Sequence, residues 1–356
     1  MAALPFGLAM ATTTTAERIM PASVPARRFG AAVRPEQLVG DTALLATLRR
    51  NCQLLVPEYH GQWSAVEWRR GDPWYGNYDA ITAFAQAHDM AVRGHALIWE
   101  QMTPDWARHE MADQKDWRTI ERHFATLLPR YRDAIGEWVV VNEMIDTEGG
   151  DRDFRRNSFQ RAYGNGYVQR ALETAHALDP DARLMINDFS LYHDNPVDEA
   201  RRGAMLRLVE RLKANGTPLH LVGLQGHIEL AKGPIAQPRL ARFLAELAGM
   251  GVDLAITELD VLEEDRALPV EERDRRVADA TTALLDVAMD QPAMRSVVTW
   301  GLTDRDSWLQ DRTGATKAAQ TCSPIDYDGL NRGLPFDGAF ESKPMHAALR
   351  SALALA

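Results

Sequence analysis

Apolar and polar positions along the chain follow two alternating rhythms. Short runs rich in Val, Leu, Ile and Ala recur eight times: Phe29–Val33, Gln53–Glu58, Met90–Ile98, Glu137–Glu143, Arg183–Ser190, Leu221–His227, Leu254–Asp260 and Ser296–Leu302. Between them lie amphipathic stretches with helical spacing, among them Tyr78–Asp89, Asn165–Asp179 and Arg201–Gly216. Period-two or continuous apolar runs predict strands, and the 3.6-residue pattern predicts the intervening helices. Strand–helix alternation predicts parallel βαβ units, and eight such units predict closure into a single-domain α/β fold, a (β/α)8 TIM barrel.

The predicted strands share a second property. Each is apolar for most of its length and then ends in polar or aromatic residues: Glu58, His95, Asn142 with Glu143, Asn187 with Asp188, Gln225 and His227, Glu258 and Asp260, and Trp300. Buried inside a barrel without partners, such groups would cost several kcal/mol. At the C-terminal ends of barrel strands they line the mouth, where barrels of this type carry their sites.

The 356 residues fit one such domain, with 46% hydrophobic and 25% charged residues, as in ordinary soluble globular chains. No Pro- or Ser-rich linker divides the chain. Residues 1–26 are expected to be a poorly ordered leader or signal remnant, and 27–356 the barrel domain. The leader has a short apolar stretch but lacks a basic n-region. No later segment has the ~18 uninterrupted apolar residues of a membrane span. A net charge of −10 argues against nucleic acid, since arginines are interleaved with acids, as in EERDRRVADA. Cys52 precedes an apolar strand and is expected to be a buried thiol. Its separation from Cys322 implies no disulfide framework and leaves their pairing open. No CxxC or HExxH spacing marks a metal site.

Two carboxylates carry the candidate chemistry. Glu143 ends the fourth predicted strand and Glu258 the seventh, so both reach one rim. Facing carboxylates are what glycosidic cleavage needs: one protonates the leaving oxygen while the other attacks the anomeric carbon or activates water. Opposite strands across a narrow mouth are compatible with the ~5 Å separation of a retaining enzyme.

The strings RGHALIWEQMTPDW, WVVVNE, LMINDF, VGLQGH, ITELD and VVTWGLTDRDSWL, in order from Phe29 to the C-terminus, resemble glycoside hydrolase family 10, the endo-β-1,4-xylanase family. The resemblance implies a retaining, cofactor-free endo-β-1,4-glycanase with Glu143 as acid/base and Glu258 as nucleophile. It implies that Asn142 bonds a sugar 2-hydroxyl and that His227, held by Asp260, contacts the nucleophile. Gln225 would hold the acid/base, and His95 the sugar at the reacting subsite. Trp99, Trp300 and Trp308 offer flat faces to sugar rings, and Asn187 is a further substrate-side candidate.

The chain departs from the family pattern on the substrate side. The second-strand motif keeps Glu58 and Trp63 but has Tyr59 for Asn and Gln62 for Lys. Glu100 and Met102 stand where His and Gln are usual, and Phe189-Ser190 replaces Tyr-Asn. Exchanging a cationic donor for an amide removes a charge-assisted hydrogen bond worth about 1.5–3 kcal/mol. Glu58, Tyr59 and Gln62 are therefore expected to contact sugar with altered selectivity. Three readings stay open beside the xylanase: a depolymerase of another β-1,4-linked bacterial exopolysaccharide, a non-catalytic polysaccharide-binding barrel, and a glycosidase acting on small glycosides. The expected partner is a polysaccharide, with no nucleic acid or membrane. The chain is expected to be a secreted or periplasmic monomer. Asp304 and Asp306, in the last barrel loop, are open between substrate contact and a capped turn.

Overall fold

A computed structural model describes residues 27–310 and 329–354. Eight parallel strands close a barrel: β1 (Arg28–Val33), β2 (Leu54–Pro57), β3 (Ala91–Gly94), β4 (Ile135–Asn142), β5 (Arg183–Asp188), β6 (Leu221–Leu224), β8 (Asp253–Leu262) and β9 (Met294–Thr299). Each pairs with the next, β6 pairs with β8, and β9 returns to β1 with Gly30 beside Val298. The short β7 (His227–Glu229) continues the sixth strand beyond a break and pairs with the far end of β8, His227 opposite Asp260. The expected barrel is the fold observed, in one domain. The proposed leader 1–26 and Cys322 lie outside the described residues, whereas Cys52 is buried as expected.

Side chains alternate along each strand between two cores. Phe29, Ala31 and Val33 face the helices, as do Leu55 and Val297, while Ala32, Leu54, Val56 and Val298 fill the barrel interior with Trp300 above them. Aliphatic side chains fill this lumen in a few layers, as eight strands leave an interior just wide enough for them. Near the N-terminal ends of the strands, Arg93 bonds Glu137 through Nε at 2.6 Å and Ser296 through Nη2 at 2.7 Å. That pole is thus closed by a buried ion pair, and the opposite pole is left for chemistry.

The helices carry their own stop and start signals. Asn195 accepts from Asp198 N at 2.9 Å to cap Pro196–Ala214, whose first position is proline. Asn157 caps Ser158–Tyr163 in the same way. The C-terminal tail forms a loop and then a helix, Pro344–Leu353, as its pattern predicts. Lys343, just before that helix, places Nζ 2.7 Å from Asp304 Oδ2, and Arg332 pairs with Asp274 at 2.7 Å. The first pair ties segment 330–343 to the last barrel loop, and the second ties it to the helix Val270–Met289.

Candidate active site

Glu258 lies within β8, where a register shift between Ile256 and Leu259 breaks strict alternation, and it is 5% exposed. Its Oε1 accepts from Asn187 Nδ2 at 2.6 Å, and its Oε2 lies 3.3 Å from His227 Nε2. His227 Nδ1 is 2.8 Å from Asp260 Oδ1, and Trp308 Nε1 donates to Asp260 Oδ2 at 2.6 Å. Burial works against charge on His227, but Asp260 and Glu258 outweigh it, and the imidazole is pushed up to about 10. Burial likewise pushes the Glu258 carboxyl up. The imidazoles of His95 and His227, with the Asn187 amide, overcome that push and hold the carboxyl below its ordinary value. His95 is buried edge-on to Trp300 with Nε2 3.9 Å from Glu258 Oε1, and burial keeps its own pKa below normal. A carboxylate with two donors and a cation beside it stays ionised.

Glu143 is placed differently. It follows the last residue of β4 with φ of +58°, a left-handed conformation costly for a side chain with a Cβ. Its backbone N–H donates to Asn187 O at 2.9 Å, which anchors the turn. Gln225 Nε2 donates to Glu143 Oε1 at 3.3 Å, and the Trp99 side chain faces the same carboxyl. Burial raises the Glu143 pKa, Trp99 opposes it, and the charges of Asp188 and Glu258 add to the rise. One mouth therefore holds a carboxyl biased toward its acid form and another biased toward its ion.

A string of amides joins the two. Asn187 Nδ2 also donates to Asn142 Oδ1 at 2.8 Å, and Gln225 Nε2 lies 3.4 Å from the same oxygen. Asn187 Oδ1 accepts from Thr257 Oγ1 at 2.6 Å. Gly223 makes this possible, because a Cβ there would sit 2.4 Å from Asn187 Oδ1. Asn187, expected on the substrate side, has no exposed surface, and its hydrogen-bonding groups are taken up by protein. It lies beneath the cleft, against Glu258. At the break after β6, Gly226 (φ +87°) donates its N–H to Tyr192 Oη at 2.5 Å, which turns His227 toward β8.

The groups open onto a cleft of about 350 Å³. Glu58, Tyr59, Gln62, Trp99, Trp300 and Trp308 line it with Asn142, Glu143, Gln225, His227 and Glu258. Glu100 and Met102 do not. Glu100 bonds the backbone N–H of Ser158 at 3.0 Å and the Ser158 hydroxyl, fastening the loop after β3 to a helix. Met102 sulfur receives Ser64 Oγ at 3.7 Å. Gln101, between them, reaches the cleft instead, and its neighbours gave no cue to it. Phe189 and Ser190 also line the cleft.

Arg34, which the strand pattern did not mark, sends Nη1 to within 3.3 Å of Glu58 Oε2. Burial nevertheless drives Glu58 up to about 7 against that guanidinium. Gln62 is 1% exposed, donates to Glu58 O at 3.3 Å, and leaves its own carbonyl oxygen without a hydrogen-bond partner. Asp304 is buried against Lys343, and Asp306 pairs with Arg305 at 2.7 Å, so both serve the loop.

A sequence model described as Glycosyl hydrolase family 10 matches residues 20–352. Endo-1,4-beta-xylanase A of Phanerodontia chrysosporium is 30% identical to the chain, covering 89% of it and 72% of the relative. Endo-1,4-beta-xylanase B of Thermotoga neapolitana is 27% identical, covering 85% and 81% respectively. Among solved structures, native xylanase 10B from Thermotoga maritima matches with a TM-score of 0.78 at 25% identity, covering 92% of this chain and 95% of that one.

Proposed function

The chain belongs to glycosyl hydrolase family 10, and from that premise we propose that it is an endo-β-1,4-xylanase in which Glu258 is the nucleophile and Glu143 the acid/base. Membership makes it a retaining glycoside hydrolase; the polymer and the residue roles are the proposal. The observation that carries the roles is the opposite bias of the two carboxyls, Glu258 below and Glu143 above the ordinary value.

In the first step Glu258 attacks the anomeric carbon while Glu143 gives its proton to the leaving glycosidic oxygen. Once Glu258 is esterified its charge is gone, and the Glu143 pKa falls. Glu143 then takes a proton from water, the water oxygen attacks the same carbon from the opposite side, and Glu258 departs as carboxylate with net retention. His227 with Asp260, and Asn187, hold the Glu258 oxygens in place throughout. Asn142, with Nδ2 left over, is suited to a sugar 2-hydroxyl, a bond that strengthens as positive charge develops on the ring.

Reducing-sugar release from xylan, β-1,4-glucan, mannan and bacterial exopolysaccharides tests the reading, with Glu258→Gln as blank. Release from xylan supports it, and turnover by pure Glu258→Gln protein overturns the assignment. One observation favours a second polymer, a different β-1,4-linked exopolysaccharide: Tyr59 places an exposed aromatic rim beside Glu58, and Gln62 lies buried next to it. Release from such a polymer and none from xylan would select it. A polymeric substrate also supports secretion or a periplasmic location. No helix of the described residues is long and apolar enough to cross a membrane.

A further inference from the structure

We propose that the surface beside the β2–β3 end of the cleft is a second glycan-binding site, taking a uronic-acid-bearing stretch of the same chain that is cut in the cleft. This rests on the β-1,4-glycanase reading and adds the charge class of the polymer. A depression of about 870 Å³ lies between Ser64–Arg70, after β2, and Gln101–Arg108, after β3. Gln101 lines both this depression and the catalytic cleft, so a polymer leaving one enters the other.

The chemistry of the depression is that of an acidic sugar site. Trp68 presents an indole that is 73% exposed, a large apolar face kept in water with no core to cover it. Sugar rings lie flat on such faces, and an aromatic plane costs little entropy to hold. Arg69, Arg70 and Arg108 line the same depression with one carboxylate, Asp105. Arg69 makes no ion pair among the described residues. Arg70 spends Nε on Glu110 at 2.6 Å, and its side chain remains 57% exposed. Arg108 donates to the Glu100 carbonyl, and its Nε is buried without a hydrogen-bond partner.

A guanidinium matches a carboxylate with two parallel hydrogen bonds, which a hydroxyl cannot return. The chain carries a net charge of −10, which repels a polyanion, so local cations beside the mouth are what would let one approach. Contact at both sites by one chain makes the second contact intramolecular and raises polymer affinity without touching the chemistry.

The test measures KM and kcat on a β-1,4-xylan carrying glucuronic acid and on the same polymer after carboxyl reduction, at low and high salt. Wild type is expected to show a KM about tenfold lower on the acidic polymer, with equal kcat, and to lose that advantage at high salt. Arg69→Ala/Arg70→Ala should abolish the difference between the polymers, and Trp68→Ala should raise KM on both. Equal wild-type KM values, or an advantage retained by the double arginine variant, would overturn the second site while leaving the glycanase. Failure of wild type to cut either polymer would overturn the xylanase reading and, with it, a second site for acidic xylan.

Discussion

Asn187 donates to Glu258 Oε1 at 2.6 Å from a position with no exposed surface. The bond favours the carboxylate over the carboxylic acid, so its removal must raise the Glu258 pKa. Asn187→Ala also strands Thr257 Oγ1 and lets the carboxylate shift. We expect kcat to fall about 100-fold, the cost of misplacing a reacting group by about 1 Å. The acidic limb of the pH–rate profile should move to higher pH, and stability should drop by about 1–3 kcal/mol. Steady-state rates across pH, with urea unfolding, check all three.

His227 is held near pKa 10 by Asp260 and Glu258, above its ordinary 6.5. A group with a raised folded-state pKa lends stability that is fully present below the unfolded pKa and is lost as pH rises through the folded one. Thermal stability should therefore decline between about pH 6.5 and 10 by more in wild type than in Asp260→Asn, where the imidazole loses its main partner. Melting temperatures over that range decide it, and parallel curves for the two proteins would remove the ion pair from the account.

The rate profile itself should be a bell. Activity falls at low pH as Glu258 takes up a proton, and at high pH as Glu143, with its raised pKa, loses one. Glu143→Ala should lose about 100- to 10,000-fold on polymer, the usual contribution of a general acid, along with the basic limb. Aryl glycosides whose leaving groups need no proton should be much less affected in the first step. Stopped-flow release of the phenol reads that step directly.

Asp304 is buried beside Lys343 Nζ at 2.7 Å, and burial still raises its carboxyl from 3.8 to about 6. Lys343→Met would leave that charge unpaired at neutral pH, a loss of about 3–5 kcal/mol. The variant should recover part of the deficit on acidification: without Lys343, which lowers it, the Asp304 pKa rises further above the wild-type value of about 6, and stability returns as pH falls through that raised value toward 3.8. Denaturant unfolding at several pH values tests both the size and the sign.

Period-two apolar runs and the helices between them are enough to predict a closed barrel, because strand burial and helix amphipathicity are local consequences of residue order. The same runs place Glu143, Glu258, His227 and Asp260 at one pole, since each falls at the C-terminal end of a predicted run and parallel strands share a direction. The sequence by itself thus determined the fold, the rim and the two carboxyls. It could not determine which of the neighbouring polar residues touch sugar and which support the acids. Asn187 and Glu100 sit at motif positions beside the rim yet bond protein, whereas Gln101, inside a motif but not singled out by it, and Arg34, outside any motif, reach the cleft region. That division depends on which side of a loop each side chain leaves from, on Gly223 opening space for Asn187, and on the break in β8 that turns Glu258 inward. Protonation was equally out of reach. A carboxyl's pKa follows burial and the charges packed around it, and residues as distant in sequence as Asn187 and Glu258 meet only when the barrel closes.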